Sequence, residues 1–234
     1  MIDAIILAGG FGTRLSQTLP HIPKALAPIK RVPFLDLLLE QLQASGIISK
    51  VVMALGYKAA HIEAHISQKS YSFPIEFSIE PTPQGTGGAI VLAIEKTTTN
   101  TLLILNGDSY FDLDLAHFLR AHLEKKGMGS IACREMEDTS RYGTLGIDPS
   151  NRIHSFREKN GCNTKGWINA GVYLMQKELF SPLPQANYSL EKELLPRFLE
   201  KKLFAYPHSG AFIDIGTPES YDEAQEILKP WIKQ

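Results

Sequence analysis

Gly9, Gly10 and Gly12 close a short apolar run, and Thr13 and Arg14 follow at once. That combination can hold an anion: glycine lets backbone N–H groups come close, Thr13 adds a hydroxyl, and the planar Arg14 fork grips phosphate oxygens in pairs. Neither familiar glycine-rich phosphate motif fits. The stretch Gly10-Phe11-Gly12-Thr13-Arg14-Leu15 lacks the third glycine of the dinucleotide fingerprint, and no Gly-Lys-Ser/Thr follows at P-loop spacing. The loop runs on to Pro23-Lys24, where a lysine behind a proline is suited to act as a point charge on a second phosphate. A plain tight turn with solvated basic residues is the alternative, yet a turn does not need three glycines plus Thr and Arg behind a buried strand.

Asn106-Gly107-Asp108 ends another apolar run, Thr101 to Leu105. A short carboxylate there faces the ligand crevice, and a polyphosphate calls for a hard cation; Mg²⁺ binds through one or two carboxylates plus phosphate oxygens. Asp214 lies inside Phe212-Ile213-Asp214-Ile215-Gly216, where an unpaired charge would be costly. Metal ligation accounts for it better than a buried salt bridge, so Asp108 and Asp214 are the expected metal pair. Glu158, Lys159 and Asn169 are polar residues in otherwise apolar strands. A carboxylate beside an amide can grip vicinal hydroxyls and Lys159 can hold another phosphate, so this half reads as a sugar phosphate site rather than a surface ion pair and a turn asparagine. His61 and His65 share a helical face but lack the H-E-x-x-H order and a third ligand, so they read as a polar face. No G-x-S-x-G elbow supports hydrolase chemistry.

Positioning these residues takes a particular order of elements. Asp3 to Ala8 is expected to be a fully buried strand of a parallel sheet. A helix should begin at Pro33 and stop at Ser45-Gly46. A strand over 50–56, a helix over 59–68 and a strand over 75–80 come next, and then Gly85-Thr86-Gly87-Gly88 leads into a helix over 89–95. With a strand over 101–105, this cadence means an α/β fold with a Rossmann-like, doubly wound, mostly parallel sheet. Beyond about Ser140 the rhythm changes to strands over 143–147, 153–157 and 167–175 and helices over 190–201 and 219–228, read as a mixed α+β sugar-binding lid on the first half. Without repeats or a Pro-, Gly- or Ser-rich linker, residues 1–234 are expected to be one domain, with a nucleotide-binding half (1–115) and a sugar-phosphate-binding half (116–234).

The 234 residues are 44% hydrophobic, ordinary for a packed core. A net charge of -1 offers no global positive field to gather nucleic acid or an anionic membrane, so neither is an expected partner, and any anion is bound locally. Cys133 and Cys162 form no C-x-x-C pair and read as structural or incidental, with a reducing compartment the default. Lacking a basic leader segment or an apolar run of spanning length, the chain is expected to be cytoplasmic. Composition leaves an oligomer possible.

Taken together, these residues resemble the sugar-1-phosphate nucleotidyltransferase family over nearly the whole chain. LAGGFGTRL (7–15) with Pro23-Lys24 is similar to its signature loop, Glu80 with QGTGGA (84–89) to its base-binding segment, and NGD (106–108) to its metal site. Arg141-Tyr142-Gly143, Glu158-Lys159, Asn169-Ala170-Gly171 and Asp214 resemble its sugar and second metal motifs. The form Gln84-Gly85-Thr86-Gly87-Gly88 is closer to guanylyltransferases than to thymidylyltransferases, and NGDSYFDLD, SRYGT and FIDIGTPESY resemble the branch that makes GDP-D-glycero-α-D-manno-heptose. The pattern departs from the family where Ala25-Leu26 follows the lysine and Asn160 follows Lys159, positions where many relatives carry proline. No left-handed β-helix repeats follow, so a monofunctional enzyme is expected.

The resemblance implies a nucleoside triphosphate, GTP by this form, and a sugar 1-phosphate as substrates, with Mg²⁺ as cofactor. It implies that Leu7, Ala8, Gly9, Gly10, Gly12, Thr13, Glu80, Gln84, Gly85, Thr86 and Gly88 bind the nucleotide. Tyr142, Gly143, Glu158, Lys159, Asn169 and Gly171 would hold the sugar phosphate, and Arg14, Lys24 and Asp108 would act in catalysis.

Overall fold

The apolar run at the N-terminus becomes β1 (Ile2–Leu7), buried at every position but the last. A strand without a polar face must be covered on both sides. Accordingly, Ala4 and Ile6 enter one hydrophobic core and Ile5 enters another. The structure is a computed structural model and describes residues 1–12, 14–15, 19, 21–158, 161 and 164–232.

After β1 come a two-strand ribbon of β2 (Pro28–Ile29) and β3 (Val32–Pro33), α1 (Phe34–Ser45), β4 (Ile48–Leu55), α2 (Ala59–Ile66) and β5 (Ile75–Ile79). Next are α3 (Gly85–Ala93), β6 (Thr101–Asn106), β7 (Ser109–Phe111), α4 (Leu115–Lys125) and β8 (Gly129–Met136). The chain continues with β9 (Thr144–Ile147), β10 (Ile153–Arg157), β11 (Gly166–Gln176), α5 (Leu195–Phe198), β12 (Leu203–Pro207), β13 (Phe212–Asp214) and α6 (Pro218–Ile227). The expected boundaries hold for α1, which starts behind Pro33 and ends on Gly46 at φ +65, the left-handed conformation that glycine adopts without strain.

The main sheet runs β5-β4-β1-β6-β11-β8-β12. Strands β5, β4, β1 and β6 are parallel, as are β8 and β12, while β11 is antiparallel to β6, β8 and β9. One core, against one face, takes side chains from α1, α2, α4 and α6; the other takes side chains from α3 and α5. β11 is bent: its first part pairs with β9, and its later part, from Val172, pairs with β6. Gly171, at φ +73, stands at that change of neighbour.

Three expectations need correcting in detail. The second half is not a layer laid over the first, because β11 bonds directly to β6 and extends the same sheet. Gly85 to Gly88 do not precede the α3 helix but form its first turn. The segment 190–201 is not one helix: a π turn over Leu190–Leu194, the short α5 and a 3₁₀ turn over Leu199–Lys201 divide it. The strands β8 and β12 lengthen the sheet beyond β11, at an edge that no element expected from the sequence occupies.

Candidate active site

β1 and β6 are adjacent and parallel, so Leu7-Ala8-Gly9 and Asn106-Gly107-Asp108 leave the sheet side by side. Gly107 N–H donates to Leu7 O (2.9 Å), Ala8 N–H to Ala54 O (2.9 Å) and Tyr57 N–H to Gly9 O (3.3 Å). The backbones pack so closely that a Cβ on Gly9 would lie 2.9 Å from Gly56 N, and one on Gly107 2.6 Å from Leu7 O. Gly10 faces open space, and Arg14 is exposed beyond it. Thr13 lies outside the described residues. Glu80, at the end of β5, brings Oε1 against Gly9 and Gly56 and accepts from Gln84 N–H at 2.9 Å. Burial pushes the Glu80 carboxyl above its ordinary pKa, against the pull of that hydrogen bond.

Lys24 Nζ meets Asp108 Oδ2 at 2.5 Å. β13 lies antiparallel to β7, with Asp214 opposite Ser109 and Ile215 N–H donating to Asp108 O at 2.9 Å. This pairing brings together two aspartates that are 106 positions apart in sequence. Gly216 stands between the charges: a Cβ there would lie 2.6 Å from Asp214 Oδ1 and 3.6 Å from Lys24 Nζ. Asp214 Oδ1 accepts from Gly216 N–H (2.8 Å), and Arg141 faces both of its oxygens at 3.2 and 3.4 Å. The ion pair disfavoured on sequence grounds is therefore present at Asp214.

The sugar-side candidates converge beside these aspartates. Asn169 N–H donates to Gly143 O (2.8 Å), and Glu158 Oε2 would be 3.2 Å from a Cβ on Gly143. Asn169 uses Oδ1 to accept from Gly171 N–H (3.0 Å) and Nδ2 to reach Tyr173 OH (2.7 Å). Burial and the neighbouring Asp214 carboxylate raise the Tyr142 phenol far above its usual pKa. Lys159 lies outside the described residues. Asn106 Oδ1 is buried without a hydrogen-bond partner among the described residues, close against Gly171.

Gln84 to Gly88 serve a packing role that the sequence did not disclose. Gly87 N–H donates to Tyr188 O (2.8 Å) and Tyr188 N–H to Gln84 O (2.9 Å). A Cβ at Gly85 (φ +69) would lie 2.4 Å from Tyr188 O, and one at Gly88 2.4 Å from Ala186 O. Thr86 Oγ1 donates to Glu191 Oε2 and accepts from Leu190 N–H, both at 2.8 Å. Glu191 is a part-buried carboxyl raised in pKa first by desolvation and further by the negative fields of Glu158 and Asp108. It belongs to the same neighbourhood, although no motif in the sequence singles it out.

The other histidine and cysteine readings resolve simply. His65 Nε2 pairs with the buried Asp36 at 2.8 Å, beside Lys69 at 2.6 Å, so it ties α2 to α1. Cys133 is buried, with its thiol pushed up to about 12, in keeping with a structural role. Cys162 lies outside the described residues.

Known proteins match this arrangement over nearly its full length. A D-glycero-α-D-manno-heptose 1-phosphate guanylyltransferase from Aneurinibacillus thermoaerophilus is 38% identical over 99% of this chain and 100% of its own. One from Campylobacter jejuni is 38% identical over 94% and 97%. The crystal structure of HddC from Yersinia pseudotuberculosis complexed with GMP-PN superposes with a TM-score of 0.87 at 36% identity, covering 98% of this chain and all of that one. The family model for nucleotidyl transferase matches residues 3–229. On its fold, its site geometry and this match, the chain belongs to the nucleotidyl transferase family.

Proposed function

We propose that the protein joins GTP to D-glycero-α-D-manno-heptose 1-phosphate, releasing pyrophosphate and forming the GDP-sugar. The observation that carries this reading is the meeting, at the ends of β1, β6 and β13, of a glycine loop, the Lys24–Asp108 pair and Asp214, with Glu158, Asn169 and Tyr142 alongside. The likeness to guanylyltransferases of that heptose phosphate supports the choice of substrates. Gln84 Oε1 supports the base: it is a buried acceptor without a partner among the described residues, and the guanine N1–H or 2-amino group would satisfy it.

In this reaction a phosphate oxygen of the sugar 1-phosphate attacks the α-phosphorus of the triphosphate, a new P–O bond forms, and the bond to the β-phosphate breaks. The attacking oxygen is already anionic, so no side-chain nucleophile or strong general base is needed. Catalysis then rests on alignment and charge neutralisation. The Gly9–Gly12 amides and Arg14 would hold the leaving phosphates. Lys24 is placed to neutralise charge at the transferring phosphate, and Lys159 would take the acceptor phosphate. Glu158 and Asn169 would bind ring hydroxyls, with Tyr142 and Gly143 shaping that side.

Asp108 and Asp214 fit Mg²⁺: they offer hard carboxylate oxygens from the turn before β7 and from the paired strand β13, and that ion habitually takes one or two carboxylates and completes its shell with phosphate and water. No cluster of three or more potential ligands occurs among the described residues, as that habit allows. When bound, the cation supplies Lewis-acid stabilisation of charge on the transferring phosphate. Among the described residues no helix is long and apolar enough to cross a membrane, and we place the reaction in the cytoplasm.

The test is a matrix of GTP, dTTP, UTP and CTP against heptose, mannose and glucose 1-phosphates, scored by pyrophosphate release. The highest kcat/KM is expected for GTP with the heptose phosphate. A higher value for any other combination would replace this assignment.

A further inference from the structure

Arg141 is held at the rim of the site by a hydrogen-bonded turn. Asp138 Oδ1 accepts from Ser140 N–H at 2.8 Å, and Tyr142 N–H donates to Thr139 O at 3.0 Å. The Arg141 side chain is 42% exposed and lies over the Tyr142 ring, 5.6 Å from its centroid. A single guanidinium nitrogen faces the two Asp214 oxygens at 3.2 and 3.4 Å. Committed arginine–carboxylate pairs close to about 2.7–2.9 Å and use two nitrogens in parallel. This pair is loose, and Glu219 also feels the arginine's charge.

We propose that Arg141 is a stand-in cation, neutralising Asp214 until a divalent cation arrives with the nucleotide phosphates, and then turning to the phosphate of the acceptor. The inference rests on the reading of Asp108 and Asp214 as cation ligands. Its physical basis is charge balance. Asp214 carries Arg141 and Asp108 carries Lys24, on either side of Gly216. A divalent ion added to carboxylates already paired leaves positive charge uncompensated, and phosphate is the anion that removes it. Cation and substrate phosphate therefore bind as a unit, and the arginine released from Asp214 has an anion at hand. Its weak, half-exposed pair makes the exchange inexpensive, since such pairs contribute little by themselves.

Binding of Mn²⁺ to the nucleotide-free full chain, followed by the electron paramagnetic resonance of the unbound ion, tests the stand-in role. Arg141→Gln is expected to tighten Mn²⁺ binding about 2- to 5-fold, the range an exposed pair can account for. Asp214→Asn should weaken it, and the double variant should match Asp214→Asn. With saturating GTP and Mg²⁺, Arg141→Gln should also raise KM for the sugar 1-phosphate at least about threefold, with Arg141→Lys in between. If Asp214→Asn weakens Mn²⁺ binding while Arg141→Gln leaves it unchanged, the stand-in role is overturned and the ligand reading survives. Should Asp214→Asn have no effect on Mn²⁺, the ligand reading fails and takes this inference with it. An unchanged KM in Arg141→Gln would overturn the turn toward the acceptor.

Discussion

Asp108 is the side chain on which the proposed chemistry depends most. Asp108→Asn keeps the shape but removes the charge that Lys24 meets at 2.5 Å. Turnover should fall about 10²-fold or more at saturating Mg²⁺ with the melting temperature little changed, which steady-state kinetics and calorimetry check together. Asp3 is the structural counterpart, a fully buried residue of β1. Burial alone would raise its pKa, but hydrogen bonds from Thr98 N–H, Ser49 Oγ, Thr98 Oγ1 and Thr99 N–H outweigh burial and hold it below the usual value. A carboxylate lowered in the folded state stabilises above its unfolded pKa, near 3.8, and that stability is lost as pH falls through the lower folded value. Asp3→Asn should cost about 2–3 kcal/mol at pH 7. The gap to the wild type in urea midpoint should shrink below about pH 4.

At the scale of elements, the first turn of α3 is clasped to residues 186–191, and three glycines are what let the two backbones touch. Gly88→Ala would drive a methyl to 2.4 Å from Ala186 O, so it should destabilise by about 1–3 kcal/mol. Gly10→Ala is the contrasting case, since a Cβ there meets nothing within 4 Å. It should leave the urea midpoint unchanged and raise KM for GTP, because a methyl in the loop keeps a phosphate from the amides. A destabilised Gly10→Ala, or a fully stable Gly88→Ala, would reverse the division between a gripping loop and a packing loop.

For the whole molecule, specificity is the open quantity that kinetics can resolve. GTP should exceed dTTP in kcat/KM, because guanine donates through both N1–H and its 2-amino group while thymine has only N3–H, so the smaller base leaves a buried acceptor unpaired. Equal turnover with dTTP would remove the guanine assignment. Heptose phosphate should exceed mannose 1-phosphate by about 10- to 200-fold, the discrimination that packing around one extra carbon supplies. Glu158 and Asn169 would bind ring hydroxyls common to both sugars, so they cannot enlarge that ratio. A value for mannose 1-phosphate at or above that of the heptose would make this a mannose enzyme.

The α/β class, strands close to β1 and β6 (read as 3–8 and 101–105, observed at Ile2–Leu7 and Thr101–Asn106) and the bounds of α1 were legible in the sequence, because each depends on local periodicity or capping. The sequence also marked Lys24, Asp108, Asp214, Glu158 and Asn169, and grouped Asp108 with Asp214 and Glu158 with Asn169, without the strand pairings that would bring them together. Only the tertiary structure decided those. The β13–β7 pairing sets Asp214 beside Asp108, and the β11–β6 pairing carries Asn169 and Gly171 to the same end of the sheet. The extension of the sheet through β8 and β12 and the contact of Glu191 with Thr86 were illegible for the same reason. Strand partners and buried charges are fixed by contacts between residues far apart in the chain, and no local pattern records which distant segment will cover a given side chain.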